Sequence, residues 1–280
     1  MKVIFVCTGN TCRSPLAEGY LKSFNLKGLE VESRGLAANG SLVSQNSMLV
    51  AKESHIDISH HISKQFTFDC SFCDKIICMS HSHLEALKNA GVDKSKLFLL
   101  GDGIGDPYCM PIEHYRLCFT EIKKQIDKLV FGGFFSDITV DYATADDIQN
   151  IVRLEKLCFS CPWSENAILE SMRAGTHFFV AKIKGDTVGY IGISAIAGEG
   201  YITNVAVDPS FRRMGIASYL LNRVFCLADE KALEFVSLEV RKSNTGAIAL
   251  YDKHLFVSEG VRKNFYDNPR EDAIIMTRRF

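Results

Sequence analysis

The amino-acid sequence predicts two consecutive α/β domains, the first built on a parallel sheet. Three observations lead there. Residues 2–130 alternate short apolar runs with stretches of helical periodicity, the pattern of a parallel sheet flanked by helices. Gly132 and Gly133 then break that pattern. Beyond them the chain changes character, with two strand-like runs facing each other across Lys184-Gly185-Asp186. The 280 residues suit two domains of about 100–200 residues each, placed here at 1–133 and 137–280.

In the first part, residues 2–6 form an apolar strand, and Pro15 suits an early helical position ahead of Leu16-Ala17-Glu18-Gly19-Tyr20-Leu21. Residues 29–33 read as the next strand and 47–54 as a helix. Lys75-Ile76-Ile77-Cys78-Met79 is a compact apolar strand, followed by a helix through Leu84-Glu85-Ala86-Leu87. Lys96-Leu97-Phe98-Leu99-Leu100 is a further strand, and 112–130 a long helix. In the second part, 145–158 is helical, with Thr144 or Asp146 as its cap. Strands follow at 176–182, 187–193 and 200–207, then a helix at 215–227, a strand at 235–240 and a helix opening at 247–251. Phe131, Phe134 and Phe135 at the junction suit either a short linker or an interdomain contact.

Composition narrows the class of partner. The formal net charge is only -1, so no global field favours nucleic acid or an anionic membrane. Neither part is a basic module: residues 1–130 hold 15 basic and 14 acidic side chains, the remainder 17 and 19. No apolar run is long enough to span a bilayer, and the chain opens on strand-like residues rather than on a leader. With ten cysteines in addition, a reducing cytoplasm is the expected location. Cys70-Ser71-Phe72-Cys73 invites a zinc or redox reading, but no second pair with ligand spacing accompanies it, so no metal is expected.

The first chemical centre is Val6-Cys7-Thr8-Gly9-Asn10-Thr11-Cys12-Arg13-Ser14-Pro15. It places a cysteine, five residues and an arginine between a strand and a helix start. Such a loop can turn backbone N–H groups inward at a phosphate, with the helix N-terminus adding positive potential. That field favours a Cys7 thiolate, and the planar Arg13 fork can hold two phosphoryl oxygens. The layout suits covalent phosphatase chemistry. An acid is then needed to protonate the leaving group and later activate water. Asp106, held extended by Pro107 beyond a glycine-rich loop, is the candidate, with Asp102 as its rival.

CTGNTCRSP, the later Asp106-Pro107-Tyr108 and the α/β pattern through Val130 resemble the low-molecular-weight protein phosphatases. The resemblance implies a phosphocysteine at Cys7, phosphate binding by residues 8–14 with Arg13, and general acid–base work by Asp106. It also implies that Asn10 holds the loop's unusual backbone and that Ser14 hydrogen-bonds the thiolate, while Gly9 permits close backbone approach. Cys12, close to Cys7 in such a loop, either forms a reversible disulfide with it on oxidation or packs beneath it. Thr11 lines the pocket where tyrosine phosphatases carry a larger aliphatic side chain. In this the chain is similar to the protein-arginine phosphatase branch, which makes phosphoarginine in a protein the first choice of substrate and phosphotyrosine the alternative.

The second centre is Val205-Ala206-Val207-Asp208-Pro209-Ser210-Phe211-Arg212-Arg213-Met214-Gly215-Ile216-Ala217. A strand ends, a turn follows, and Gly215 and Ala217 allow close approach at a helix start whose free N–H groups can hold a diphosphate. The three-glycine dinucleotide fingerprint is absent. Downstream, Leu238-Glu239-Val240-Arg241-Lys242-Ser243-Asn244 and Ala247-Ile248-Ala249-Leu250-Tyr251 can bring Glu239, Asn244 and Tyr251 around one cleft. Together with Pro162-Trp163-Ser164-Glu165 and the late Glu271-Asp272-Ala273-Ile274-Ile275-Met276, these strings resemble the GCN5-related N-acetyltransferases, more narrowly the bacterial ribosomal-protein N-alpha-acetyltransferases.

That second resemblance implies a mixed sheet with acetyl-CoA as donor. Val205, Ala206 and Val207 would offer backbone groups to its arm, Arg212, Arg213, Met214, Gly215, Ile216 and Ala217 would hold its pyrophosphate, and Asn244 would contact it. Glu239 would be general base, Tyr251 general acid, and a ribosomal-protein N-terminus the acceptor. One departure stands out: His254-Leu255-Phe256 replaces the family's leucine-glycine-phenylalanine. A leucine in a left-handed conformation there would cost roughly 1 kcal/mol. His254 itself reads as a helix-end residue rather than a catalytic one. Two other classes compete with a two-enzyme chain: a phosphoprotein-binding module delivering substrate to the acetyltransferase, and an acetyl-CoA-sensing domain controlling the phosphatase.

Overall fold

The computed structural model describes all 280 residues, which separate into two compact units, Met1–Val130 and Phe131–Phe280. The first unit contains β1 (Lys2–Cys7), α1 (Arg13–Ser23), β2 (Glu30–Gly35), α2 (Gln45–Glu53), β3 (Lys75–Cys78), α3 (His81–Asn89), β4 (Leu97–Leu99) and α4 (Ile112–Phe131, which runs one residue past the unit). Its sheet has the order β2-β1-β3-β4, and every pairing is parallel. Residues 3–7 are all buried because central parallel strands are covered on both faces. Ile4, Val6, Ile76, Cys78, Leu87 and Leu97 form one of the resulting clusters. Serines start two of the helices: Ser44 accepts from Ser47 N at 3.2 Å and Ser80 from His83 N at 3.4 Å. This topology puts the end of β1 and the start of α1 at the carboxyl edge of the sheet, where ligands bind in such folds.

The second unit contains β5 (Ile138–Tyr142), α5 (Ile148–Cys158), α6 (Glu165–Arg173), β6 (His177–Ile183), β7 (Asp186–Ile196), β8 (Glu199–Val207), α7 (Ile216–Glu230), β9 (Phe235–Arg241), α8 (Thr245–Lys253), β10 (Val257–Asp267) and β11 (Arg270–Arg279). Its seven strands run β10-β11-β9-β8-β7-β6-β5, antiparallel throughout except for β8 with β9. A core of Ile148, Ile151, Leu154, Ile168, Phe178, Val180, Tyr190 and Ala206 joins α5 and α6 to the sheet. The entry to α5 is a single 3-10 turn at Ala145–Asp147, where the Asp147 carboxylate accepts both the Thr144 N–H and hydroxyl at 3.0 Å. The junction aromatics belong to this unit: the Phe131 ring centre is 5.7 Å from the Arg223 guanidinium, and Phe135 is buried. No helix in either unit is long and apolar enough to cross a membrane.

Candidate active sites

In the first unit β1 stops at Cys7 and α1 begins at Arg13, so residues 8–12 form the connecting loop. The loop's carbonyls are engaged outward. Cys7 O accepts from Leu36 N at 3.0 Å, Thr8 O from Ala37 N at 2.9 Å and Thr11 O from Ser44 N at 2.8 Å. That orientation turns loop N–H groups inward, and Asn10 N donates to Cys7 Sγ at 3.2 Å. Ser14 Oγ lies 3.0 Å from the same sulfur. The sulfur thus lies where an inward N–H, a serine hydroxyl and the helix start converge.

Asn10 is the keystone of the loop. Its backbone is left-handed, with φ 54°, a conformation that asparagine tolerates better than most residues. Its amide nitrogen donates to Ser14 Oγ at 2.9 Å and Ser33 Oγ at 2.8 Å, and its side-chain oxygen accepts from Lys64 N at 2.8 Å. His61 Nε2 lies 3.1 Å from the Asn10 carbonyl and 3.2 Å from Oδ1. Both partners are acceptors, so that nitrogen carries the proton. Gly35 seats the loop from below: a Cβ there would stand 2.6 Å from Thr8 O and 3.0 Å from Asn10 Cβ. A Cβ on Gly9 would meet only Thr11 Oγ1 at 3.4 Å, so Gly9 is not required by packing within the protein.

Arg13 is 5% exposed and forms an ion pair through Nη2 with Asp106 Oδ2, while Nη1 donates to Ile104 O at 3.1 Å. Its Nε is buried without a protein partner, a donor that an oxyanion would satisfy. Asp106 is also tied to its own turn, accepting from Tyr108 N at 3.2 Å. Asp102 is exposed in the same loop. Behind Thr8, His83 Nε2 lies 2.9 Å from the Thr8 hydroxyl and Nδ1 2.7 Å from Ser80 Oγ. Burial, and then the neighbouring Arg13, push the His83 pKa down to about 4, so it is neutral near pH 7. Cys12 is buried against the Tyr115 hydroxyl at 3.6 Å, and both Cys7 and Cys12 are free thiols. Cys73 is buried and Cys70 half-buried.

In the second unit the decisive feature is where two strands part. β8 and β9 pair only at Glu199–Phe235, Gly200–Val236 and Tyr201–Ser237. Beyond this, Val205, Ala206 and Val207 bond to β7 on one side, opposite Ile191, Tyr190 and Gly189, and leave the side toward β9 open. The turn after β8 leads to Gly215, which has φ 93° and starts α7 without a side-chain cap. A first helical turn leaves N–H groups free for an anion. Arg213 is left-handed as well, at φ 67°, and Arg212 folds back with Nε 3.3 Å from Val207 O. Met214 is exposed and Ile216 buried. Gly189 brings α7 close to the sheet: a Cβ there would lie 2.9 Å from Ala206 O and 3.1 Å from the Ile216 side chain. An open strand edge beside an uncapped helix start fits an extended thiol arm ending in a diphosphate.

Glu239 and Tyr251 come from β9 and α8. Glu239 is half-buried, and Arg262 stands 3.3 Å from its carboxylate. Tyr251 is 7% exposed, and burial, with a smaller effect of Tyr266, raises its hydroxyl well above the usual range. Asn244 caps α8, its side-chain oxygen accepting from Ala247 N at 3.2 Å. His254 is buried with Nε2 3.0 Å from Ser218 Oγ, and burial pushes its pKa down to about 4. Leu255 takes φ 64°, the left-handed conformation a glycine would adopt without strain.

Several contributors are not singled out by sequence reasoning. Ser33, His61, Gly35 and His83 are remote in sequence from the Cys7 loop, and only folding brings them to it. Glu155, Gly189, Arg241 and Tyr266 stand in the same relation to the second site. Arg241 apart, which lies two residues from Glu239 in a string already singled out, none sits in a distinctive run of residues.

Comparison with known proteins finds a different family in each half of the chain. A family model described as low molecular weight phosphotyrosine protein phosphatase matches residues 2–140, and one described as acetyltransferase (GNAT) family matches residues 148–256. A protein-arginine-phosphatase of Geobacillus stearothermophilus is 36% identical over 138 residues, covering 46% of this chain and 93% of that protein. A Bacillus subtilis (strain 168) protein, provisionally named a ribosomal protein bS18-alanine N-acetyltransferase, is 33% identical over 133 residues, covering 47% and 88%. The ribosomal protein bS18-alanine N-acetyltransferase of Salmonella typhimurium is 30% identical over 142 residues, covering 49% and 95%. The chain therefore carries two catalytic domains, the first belonging to the low-molecular-weight protein phosphatase family and the second to the GNAT acetyltransferase family.

Proposed function

We propose that this chain is a bifunctional enzyme whose first domain hydrolyses phosphoarginine in proteins and whose second acetylates the N-terminal alanine of a ribosomal protein. The observation that carries the first assignment is the Cys7 loop, where Asn10 N and Ser14 Oγ converge on the sulfur and Arg13 Nε lies buried without a partner. Cys7 attacks phosphorus while Arg13 and the inward N–H groups of residues 8–14 bind the phosphoryl oxygens. The P–N bond breaks as Asp106 gives its proton to the departing guanidinium nitrogen. Asp106 then takes a proton from water, whose oxygen attacks phosphorus and frees Cys7 as thiolate. These residues supply the charge stabilisation themselves, and the reading calls for no metal.

Substrate choice rests on Thr11, a short polar-tipped side chain at the pocket, and on similarity to a protein-arginine-phosphatase. Phosphotyrosine is the second reading. Tyr108, 65% exposed beside Asp106, presents a ring on which a phenyl group would also stack.

The observation that carries the second assignment is the parting of β8 from β9 beside the Gly215 helix start. Acetyl-CoA supplies an activated acetyl group when bound. Residues 205–207 would align its arm, residues 212–217 would hold its diphosphate, and Asn244 would stand beside it at the start of α8. Glu239 removes a proton from the acceptor ammonium, and Tyr251 supplies one to the departing thiolate. The acceptor class follows from the relatives named for bS18 alanine. Ten free thiols suit a reducing cytoplasm. The test is a panel on the full-length chain: phosphoarginine and phosphotyrosine peptides, and acetyl-CoA with an alanine-initiated peptide whose amine is free or blocked. Phosphate release from phosphoarginine and acetylation of the free amine alone support the proposal. Acetylation confined to lysine side chains, or a strong phosphotyrosine preference, contradicts the corresponding half.

A further inference from the structure

Cys70 and Cys73 belong to neither chemical centre, yet the backbone brings them together. Residues Phe68–Phe72 form a short 3-10 helix, closed by a hydrogen bond from Cys73 N to Cys70 O at 3.3 Å. In 3-10 geometry, side chains three residues apart stack one over the other. A turn closed in this way holds its end Cα atoms within about 7 Å, and a disulfide spans about 4.4–6.8 Å. Both side chains enter one apolar cluster, Cys73 as a buried member and Cys70 packed against it. Spacing alone does not give this arrangement. In the other unit Cys158 and Cys161 are also three apart, but there the chain leaves α5 extended at Phe159, with φ −124° and ψ 144°.

The two thiols differ in a way that suits sequential chemistry. Cys70 is half-buried, on a turn whose Phe68 and Phe72 are 65% and 76% exposed, and its sulfur has only the Thr67 hydroxyl at 3.6 Å. Cys73 is buried, and its thiol donates to Lys75 O at 3.3 Å. The next residue fixes it in place: Asp74 N donates to Lys2 O at 2.9 Å, and Lys2 N donates to Asp74 Oδ2 at 2.6 Å. Burial raises the Cys73 pKa, while Lys96 pulls it the other way. The Lys96 ammonium donates to Ser71 O at 3.0 Å and so belongs to the same turn. Cys70 is thus the thiol that a dissolved reagent meets, and Cys73 lies deeper in the same cluster. The pair stands at the far end of the sheet from Cys7: Lys75 is opposite Val3 where β1 starts, and Cys7 ends that strand.

We propose that Cys70 and Cys73 form a redox-active dithiol that reacts with low-molecular-weight disulfides. The Cys70 thiolate attacks one sulfur of the reagent, breaks its S–S bond and releases the first thiolate, leaving a mixed disulfide on Cys70. Cys73 then loses its proton to solvent and attacks the Cys70 sulfur, expelling the second thiolate. The reagent gains two electrons and, from solvent, the two protons that the cysteines lose. It leaves as two thiols, and the protein keeps one Cys70–Cys73 bond. The reaction uses no residue of either catalytic site.

The test treats the full-length chain with excess glutathione disulfide, alkylates the remaining thiols and maps tryptic peptides by mass. Cys70 and Cys73 fall together in peptide 65–75, apart from Cys7 and Cys12 in 3–13 and from Cys158 and Cys161 in 157–173. Peptide 65–75 should emerge unalkylated, free of glutathione and two hydrogens lighter than its dithiol form, while 157–173 carries glutathione without closing. In Cys73→Ser the hydroxyl keeps a donor for Lys75 O but cannot resolve the mixed disulfide, so glutathione on Cys70 should rise at least about tenfold over native. A glutathione adduct that persists on Cys70 of the native chain overturns the proposal. So does peptide 65–75 with both thiols alkylated while the exposed Cys109 is fully modified, and so does equal closure in 65–75 and 157–173, since spacing alone would then suffice. Where Cys73→Ser fails to fold, the native map alone decides.

Discussion

Arg13 holds Asp106 by an ion pair through Nη2 while its own Nε remains buried without a protein partner. The proposed acid and the proposed phosphate clamp thus share one guanidinium. A phosphoryl group entering the loop must compete with the Asp106 carboxylate for the fork. In doing so it releases Asp106 toward the leaving group.

Asp106→Asn therefore separates two effects. Removing the carboxylate charge should tighten inorganic phosphate as a competitive inhibitor, because nothing anionic contests Arg13. Loss of general acid–base catalysis should lower kcat by about 10²–10⁴. Inhibition constants and turnover measured on the same preparation check both. Weaker phosphate binding together with unaltered turnover would assign Asp106 to holding Arg13 and nothing more.

Thr11→Ile addresses the pocket. Its carbonyl is fixed by Ser44 N at 2.8 Å, so the backbone should survive the change and only the side chain differ. The ratio of kcat/KM for phosphoarginine over phosphotyrosine peptide should fall at least tenfold. A native ratio in the variant would remove Thr11 from substrate choice.

Leu255→Gly addresses the altered helix end. Leu255 is 67% exposed at φ 64°, so the substitution loses little packing and relieves a strain of roughly 1 kcal/mol. For a unit of this size that corresponds to a rise of about 2–4 °C in the unfolding midpoint. Calorimetry of the full-length variant measures it. A lowered midpoint would mean that the leucine side chain contributes more contact than its exposure implies.

Two buried histidines contribute to the acid dependence of stability. His83 and His254 have pKa values near 4 in the folded protein, below the 6.5 of an exposed histidine. The unfolded chain therefore binds more protons between those values, and each histidine's stabilisation is complete above about pH 6.5 and is lost as pH falls toward 4. Denaturant unfolding across this window should show the loss in both domains. His254→Gln should make it shallower in the acetyltransferase domain alone, His177, which burial also lowers, keeping part of the slope. An unaltered pH slope in that variant would contradict the assignment.

How much of this is legible in the sequence depends on where the information lies. The Cys7 loop is readable because its residues are contiguous and its chemistry demands their spacing. The β1 and β3 strands are readable because burial on both faces leaves continuous apolar runs. β5 escapes such reading: Ile138 and Val140 face inward, while Thr139 and Asp141 alternate with them on a short edge strand. α6 buries only Ile168 fully, and at nine residues it is short for its pattern to stand out. β10 is exposed along nearly its whole length and reads as polar chain. The same limit applies within the sites. Asn10 and Ser14 are visible beside Cys7, but Ser33, His61 and His83 reach the loop through the fold alone. Glu155 resembles any helical glutamate until Tyr190, Asn204 and Trp163 are seen to surround it.

The central claim is that one chain carries two separate catalysts, and the sharpest test is a crossed pair of variants assayed for both activities. Cys7→Ser should abolish phosphate release from phosphoarginine peptide and leave acetylation of the alanine peptide within about twofold of native. Tyr251→Phe should do the reverse, lowering acetyl transfer by about 10²–10⁴ with phosphate release unaltered. Native phosphate release by Cys7→Ser, or acetyl transfer unaffected by Tyr251→Phe, would contradict the mechanism of the corresponding domain. Loss of both activities in either variant would contradict their independence.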